Sequence, residues 1–218
     1  MVPAGRPRAI IFDWDNTLVD SWPTIHAANN AALVAMGKQP WTQAESEARV
    51  RKSMREAYPK LFGDRWQEAR DIFYTHFRAN HLNELRALRG RDAMLGVIQQ
   101  ARIYMGIVSN KDGELLRAEV AHLGWTNYFG AVVGANDAVR DKPAPEPIFL
   151  SLGPSRQSAS PGVWFVGDTD IDMECAVAAG VTPVLLREKP PAKGEFDCIP
   201  PELTFTDSKK LCAFIGAS

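Results

Sequence analysis

A short apolar run near the start of the chain ends abruptly in acidic residues. The run from Ala9 to Phe12 is β-branched at its centre, which predicts a strand buried on both faces. Asp13 and Asp15 follow it directly, and Asn16 suits a tight turn. Open α/β sheets bind ligands at the carboxyl ends of their strands, where a buried carboxylate pair is costly without a cation. The stretch predicts a divalent-metal site; the alternative is an Asp-rich loop that caps the next helix.

Composition excludes several classes of function for the 218-residue chain. The formal net charge is −1 with scattered Lys and Arg, so we expect no nucleic-acid partner. No apolar run is long enough to span a membrane, and the first eight residues lack the apolar segment of a signal peptide. The three cysteines are odd in number and show no C-x-x-C spacing. We therefore expect a cytoplasmic protein with reduced thiols, no membrane partner, and a monomeric or weakly dimeric state.

From about residue 91 the pattern alternates between apolar strands and amphipathic helices. The strands are predicted at 103–108, 131–134, 163–166 and 182–186, and the helices at 93–102, 113–123 and from Asp172 to Ala179. Such alternation predicts an α/β fold with a Rossmann-like, doubly wound parallel sheet and helices on both faces. Residues 1–20 and 91–218 would form this core domain.

The segment from 21 to 90 has helical periodicity throughout. Ile25, Ala28 and Ala32 mark one apolar helix face. Thr42 and Glu45 have the spacing of a capping box at the start of a second helix, and a third helix is predicted to begin near Asp64. We therefore predict an all-α cap domain inserted after the first strand.

Three polar clusters each follow a predicted buried strand. They are Asp13 with Asp15, Ser109 with Asn110, and Asp168 with Asp172. Because the carboxyl ends of parallel strands meet at one edge of the sheet, we expect the clusters to converge, with Lys142 joining them from a Pro-rich loop. Carboxylate, hydroxyl, amide and ammonium groups together are typical of a phosphoryl-transfer site with Mg²⁺.

The same residues resemble a known family. D-W-D-N-T-L-V-D, V-S-N, K-P-A-P-E-P and G-D-T-D-I-D-M, in that order, are similar to the four signature motifs of the haloacid dehalogenase superfamily. The insertion resembles the helical C1-type cap of the group containing phosphoglycolate phosphatases and β-phosphoglucomutases. Trp14 and Asn16 depart from the family's usual Phe or Leu and Gly, but neither departure removes a catalytic group. The resemblance implies a Mg²⁺-dependent phosphatase acting on a small phosphorylated metabolite.

The resemblance also implies roles for the acidic residues. Asp13 would be the nucleophile that forms an aspartyl-phosphate and would also ligate Mg²⁺. Asp15 would be the general acid for the leaving alcohol, then the base for water, and its backbone carbonyl would be a further metal ligand. Asp168 would ligate Mg²⁺, with Asp172 holding the ion directly or through water. Asp172 could instead serve only as a capping residue at the start of its helix.

The remaining implied roles concern the phosphoryl group. Ser109 and the Asn110 backbone would bind it, and Lys142 would neutralise charge on it and on the nucleophile. Ser109 could alternatively be an ordinary helix cap, and Lys111 is a rival to Lys142 for the phosphate charge.

Substrate choice would lie largely with the cap. There the basic stretch Arg51, Lys52 and Ser53 could meet a second anionic group on the substrate; the alternative is a solvated helix face.

The sequence is also compatible with three other functions. A phosphomutase of the β-phosphoglucomutase type would return the same aspartyl-phosphate to a sugar hydroxyl. A non-catalytic module would only accept a phosphoryl group. A 2-haloacid dehalogenase would share the nucleophile, but Asp15 counts against it, because dehalogenation produces no alkoxide for that acid to protonate.

Overall fold

The computed structural model describes residues 5–50 and 54–216. The chain forms two compact units. One runs from Asp20 to Arg86, and the other comprises the described residues up to Val19 and from Ala87 onward. These divisions lie close to the boundaries predicted after residues 20 and 90. Within the described part of the chain, no helix is both long and apolar enough to cross a membrane.

The larger unit is built on a six-stranded sheet in which every neighbouring pair is parallel. The strands of the chain are β1 (Ala9–Phe12), β2 (Val19–Asp20), β3 (Arg86–Ala87), β4 (Tyr104–Asp112), β5 (Ala131–Ala135), β6 (Val163–Gly167), β7 (Thr182–Leu186) and β8 (Leu203–Phe205). The order in the sheet is β5-β4-β1-β6-β7-β8, while β2 and β3 form a separate pair. The predicted doubly wound parallel sheet is confirmed. The prediction missed β8, which has only three residues.

The strand order places β1 at the switch point of the topology. From β1 the chain builds β4 and β5 on one side, and then β6, β7 and β8 on the other. Phe12, the last residue of β1, is level with Ile107 in β4 and Val166 in β6. Asp13 therefore leaves the sheet between β4 and β6, where the chain connections run to opposite sides of β1. Open α/β sheets form their ligand crevice at such a point.

Helices cover both faces of this sheet. They are α5 (Arg91–Gln100), α6 (Gly113–His122), α7 (Glu146–Leu152), α8 (Asp170–Ala179) and α9 (Ser208–Gly216), numbered after the four helices of the smaller unit. Phe165 of β6 shares an apolar cluster with Ile148 of α7 and Ala176 of α8. Its neighbour Trp164 packs against Phe214 of α9, with ring centroids 5.7 Å apart. Adjacent residues of β6 thus enter opposite layers, as the uninterrupted apolar run requires.

The smaller unit is helical apart from its short strand segments. Its helices are α1 (Trp22–Ala35), α2 (Gln43–Arg49), α3 (Met54–Phe62) and α4 (Trp66–Glu84). The capping box of α2 forms as predicted, with Glu45 N donating to Thr42 Oγ1 and Thr42 N donating to Glu45 Oε2. The prediction missed α3, whose Tyr58 hydroxyl donates to Asn29 of α1 at 2.9 Å. Helix α4 begins at Trp66 because residues 63–65 form a 3₁₀ turn.

Candidate active site

The site is organised around Asp13, which lies buried at the carboxyl end of β1. Its backbone N–H donates to Val166 O at 2.8 Å, which fixes the position of the residue against β6. The Thr17 hydroxyl lies 3.1 Å from Asp13 Oδ2 and 3.2 Å from Asp168 Oδ1. A single hydroxyl proton can serve only one of these oxygens at a time. Thr17 therefore lies between the two carboxylates and links the loops that follow β1 and β6.

A buried lysine contacts the same carboxylate. Lys142 Nζ donates to Asp13 Oδ1 at 2.6 Å and to Asp172 Oδ1 at 2.8 Å. Only 4% of the Lys142 side chain is exposed, so these charge-assisted bonds are shielded from water. The loop that carries Lys142 is fixed by Asn110, whose side chain donates to Lys142 O and accepts from Lys142 N. The lysine is thus held in place at both its backbone and its ammonium group.

Asp168 and Asp172 complete an acidic cluster beside Asp13. Carboxylate oxygens of the three residues lie within 4.8 Å of one another. Asp172 Oδ2 accepts hydrogen bonds from Asp168 N at 3.2 Å, Thr169 N at 3.0 Å and Thr169 Oγ1 at 2.8 Å. Asp172 therefore accepts hydrogen bonds at the start of α8 and also from Lys142. It has the capping role that the sequence offers as an alternative, and this role is compatible with binding a metal as well.

Gly167 allows this close packing. A methyl group at its Cα would lie 2.4 Å from Cβ, Cγ and Oδ2 of Asp172. Such a distance is shorter than any tolerated contact between heavy atoms, and the short Asp side chain has little freedom to withdraw. Glycine is required here because the Asp172 carboxylate passes directly over the end of β6.

The electrostatics of the cluster favour a bound cation. Burial raises the pKa of Asp13 to about 7, with Asp172 and Asp15 adding to the rise and Lys142 opposing it. Burial, followed by the neighbouring Asp13 and Asp172, raises the pKa of Asp168 well above its ordinary value. Burial alone would lower the pKa of Lys142, but Asp13 and Asp172 outweigh it and raise that pKa. When all three carboxylates are ionised, they carry more negative charge than one ammonium group neutralises.

The donor set fits Mg²⁺. Mg²⁺ prefers oxygen ligands and is commonly held by one or two carboxylates. Asp13, Asp168 and Asp172 supply three carboxylates in one cluster, and a divalent cation would stabilise the ionised forms that burial and the neighbouring carboxylates disfavour in Asp13 and Asp168. The residues present are therefore suited to the metal that the sequence predicts.

Ser109 and Asn110 lie within β4, where the sequence predicts that the strand has already ended. The strand continues to Asp112, with a shift in its pairing to β5 between Val108 and Asp112. Ser109 is buried, and its Oγ accepts from Lys111 N at 3.1 Å. The alternative role of Ser109 as a helix cap is wrong, because Asp112 caps α6 by accepting from Glu114 N and Leu115 N.

Asp15 has a partner that the sequence does not assign. Lys111 Nζ donates to Asp15 Oδ1 at 2.6 Å and also to Glu119 Oε2 at 2.6 Å. Lys111 is thus paired with Asp15, while Lys142 takes the place beside Asp13. Glu119 falls four residues after Leu115 and three after Leu116 on the buried face of α6. A charged residue on an apolar helix face is the signal that could have identified it.

The remaining side chains of interest are the predicted residues of the cap, a cysteine of α8 and a histidine of α1. Arg51, Lys52 and Ser53 lie outside the described residues. Cys175 is a free, buried thiol whose pKa is raised to about 12 by burial. His26 contacts Ser46 Oγ at 2.8 Å within the smaller unit.

Known proteins resemble the chain along most of its length. The family model described as haloacid dehalogenase-like hydrolase matches residues 10–186. A phosphoglycolate phosphatase of Pectobacterium atrosepticum is 30% identical over 182 residues, covering 79% of this chain and 77% of that protein. A phosphoglycolate phosphatase of Xylella fastidiosa is 31% identical over 180 residues, covering 80% of this chain and 78% of that protein.

Solved structures give the same picture of the fold. A HAD-superfamily hydrolase from Ehrlichia chaffeensis matches with a TM-score of 0.67 and 29% identity, over 98% of each chain. A haloacid dehalogenase-like hydrolase from Bacteroides fragilis matches with a TM-score of 0.86 and 20% identity, over 94% of this chain and 100% of that one. The second likeness concerns the fold alone, because its identity is low.

Proposed function

The chain belongs to the haloacid dehalogenase-like hydrolase family, and we propose that it hydrolyses a small phosphomonoester through an aspartyl-phosphate on Asp13, with Mg²⁺ as cofactor. The observation that carries this proposal is the buried contact of Lys142 Nζ with Asp13 Oδ1 at 2.6 Å, at the switch point of the sheet. A carboxylate paired with a buried ammonium group, beside further carboxylates, is suited to attack on an anionic phosphoryl group.

Asp13 acts as the nucleophile in this proposal. One of its carboxylate oxygens attacks phosphorus, the bond between phosphorus and the ester oxygen breaks, and an acyl-phosphate forms. Lys142 stabilises negative charge on the nucleophile and on the phosphoryl oxygens, and Ser109 and the Asn110 backbone bind those oxygens. Mg²⁺, held by Asp13, Asp168, the Asp15 carbonyl and Asp172 directly or through water, would supply the remaining charge neutralisation.

Asp15 handles the protons. It donates a proton to the ester oxygen as the alcohol leaves, and it then accepts a proton from the water that attacks the acyl-phosphate. That water displaces Asp13 from phosphorus, which releases inorganic phosphate and regenerates the free carboxylate. Asp15 lies two residues beyond Asp13, on the loop that leaves β1, and this position supports the assignment.

The relatives support a substrate resembling phosphoglycolate. Proteins 30–31% identical to this chain over most of their length carry the name phosphoglycolate phosphatase. We propose a substrate of that class, a small phosphorylated metabolite with a second anionic group. In this proposal Arg51, Lys52 and Ser53 of the cap contribute to its selection.

A screen of small phosphomonoesters tests the proposed function. Wild-type protein and Asp13→Asn are compared for release of inorganic phosphate, with Mg²⁺ and after full chelation. We expect metal-dependent release that Asp13→Asn reduces by several orders of magnitude, because the amide is a poor nucleophile. Activity that survives chelation, or that Asp13→Asn leaves unchanged, would overturn the mechanism. A stable acyl-phosphate without turnover would indicate a phospho-acceptor module instead.

A further inference from the structure

A second buried lysine contacts Asp15, as Lys142 contacts Asp13. Lys111 Nζ lies 2.6 Å from Asp15 Oδ1 and 2.6 Å from Glu119 Oε2. The exposed fraction is 6% for the Lys111 side chain and 1% for that of Glu119. Lys111 therefore joins the proposed acid–base residue to a carboxylate that lies inside the core.

Glu119 is itself fixed by an aromatic residue from the first motif. Trp14 Nε1 donates to the same oxygen, Glu119 Oε2, at 2.6 Å. The Trp14 ring is fully buried and packs edge-to-face on Trp125, with centroids 5.8 Å apart and planes at 81°. Trp125 Nε1 donates in turn to Asp92 Oδ1 at 2.9 Å. The carboxylate of Glu119 is thus held in position by protein groups alone.

Burial of the Glu119 carboxylate costs free energy, because the charge loses its hydration. A functional role would explain why the residue is charged. An ion pair in the core stabilises a protein little compared with apolar residues of similar volume, whereas it does fix the relative positions of its members. Here the pair ends on Asp15 Oδ1, two residues beyond the nucleophile. Because Glu119 compensates the charge of Lys111, the ammonium group can hold Asp15 without adding an unpaired cation beside it.

We propose that Glu119, held by Trp14, is a positioning residue: it fixes Lys111, and Lys111 orients the Asp15 carboxyl group for proton transfer to the leaving oxygen. This inference rests on the proposed function and deepens it. It also gives a purpose to Trp14, the departure from the family's usual residue in the first motif, as the donor that holds Glu119.

The test compares two substrates whose leaving groups differ in whether they must be protonated as the ester bond breaks. An alkyl phosphate releases a strongly basic alkoxide, which requires protonation by Asp15 as the ester bond breaks. p-Nitrophenyl phosphate releases a weakly basic phenolate, which leaves without a proton. General acid catalysis contributes about 10²- to 10⁴-fold, so a misplaced acid should slow the first substrate selectively. The kcat/KM for the alkyl phosphate divided by the kcat/KM for p-nitrophenyl phosphate therefore reports on the position of Asp15.

Glu119→Gln removes the charge that holds Lys111 while keeping the side-chain shape. We expect it to lower kcat/KM for the alkyl phosphate at least about tenfold more than for p-nitrophenyl phosphate. Trp14→Phe, which keeps a ring but removes the N–H donor, should change the ratio in the same direction. Glu114→Gln, the same chemical change at an exposed position of α6, is the matched control and should leave the ratio unchanged.

A double variant covers the case in which Glu119→Gln does not fold. Lys111→Met with Glu119→Leu replaces the pair by apolar side chains, a change that buried ion pairs generally tolerate. It should show the same selective loss on the alkyl phosphate.

The two proposals fail in different ways. Equal losses on both substrates, or no loss in any variant, would overturn the positioning role while leaving the phosphatase intact. A wild-type protein without Mg²⁺-dependent phosphate release would overturn the proposed function and this inference together.

Discussion

Lys142 and Asp13 are 129 positions apart in the sequence, yet Lys142 Nζ donates to Asp13 Oδ1 at 2.6 Å in the buried centre of the site. The same ammonium group lies 2.8 Å from Asp172 Oδ1. The Lys142 ammonium group thus joins its own loop before α7 to the loop after β1 and to the start of α8. The pair is therefore part of the scaffold of the site as well as of its chemistry.

Lys142→Met should weaken both the fold and the activity. The change leaves Asp13 and Asp172 without their buried cation, and breaking such a pair by removing one partner costs about 3–5 kcal/mol. We expect that loss in the free energy of unfolding, measured with urea at neutral pH without Mg²⁺. Phosphate release should fall roughly 10²- to 10³-fold, as for loss of one electrostatic donor. Lys193→Met, at an exposed position, is the control. Equal stability of the two variants would show that Lys142 does not support the cluster.

Asp168→Asn should change how stability depends on pH. The pKa of Asp168 is higher in the folded protein than its ordinary value because of burial and the nearby Asp13 and Asp172. A group of this kind stabilises the fold below its unfolded pKa, and that contribution is lost as pH rises through its folded pKa. Without Mg²⁺, Asn and the protonated Asp should give similar stability at low pH, while ionised Asp168 destabilises the wild type at pH 8.

The measurement is the melting temperature of both proteins in EDTA at pH 4, near the unfolded pKa, and at pH 8. Asp168→Asn should become the more stable protein at pH 8, by roughly 2–4 °C for each kcal/mol in a chain of this size. Added Mg²⁺ should stabilise the wild type more than the variant at that pH, since the variant lacks one ligand. Parallel pH profiles for the two proteins would contradict the assigned electrostatics.

Gly167→Ala should displace Asp172 from its position. The added methyl group would lie 2.4 Å from three atoms of the Asp172 side chain, so the carboxylate has to leave Thr169 and Lys142. We expect a loss of about 1–3 kcal/mol in the free energy of unfolding, as for other overpacked sites, together with reduced phosphate release. Gly153→Ala serves as control, because a methyl group there meets nothing within 4 Å. If both variants kept full stability and activity, the close contact between Gly167 and the Asp172 side chain would not matter for the fold or the reaction.

The sequence predicted the sheet and its acidic edge because both follow from local patterns. Ala9–Phe12 and Val163–Gly167 are uninterrupted apolar runs, and the aspartates follow them directly. The end of β4 was harder to predict, since Ser109 and Asn110 look like loop residues. They stay in the strand where its pairing with β5 shifts. Short elements such as Leu203–Phe205 carry too few residues for any periodicity to be visible.

Partner choice among the charged residues could not be read from the sequence. Lys111 and Lys142 each come soon after an apolar run in the sequence, and only the three-dimensional arrangement assigns one to Asp15 and the other to Asp13. Glu119 accepts from Trp14, which is 105 positions away, and from Lys111, whose other partner Asp15 is 96 positions from that lysine. Such long-range pairing is set by how α6 packs against the sheet, which local patterns do not encode.

The covalent intermediate on Asp13 is the central claim, and trapping it is the most direct test. Protein turning over an alkyl phosphate with Mg²⁺ is quenched in acid, treated with borohydride, and digested for mass spectrometry. Borohydride reduces an acyl-phosphate to an alcohol, so we predict that residue 13 is found as homoserine only when substrate and Mg²⁺ were both present. An unmodified Asp13 in protein that is actively releasing phosphate, or a reduced carboxyl at another position, would contradict the account.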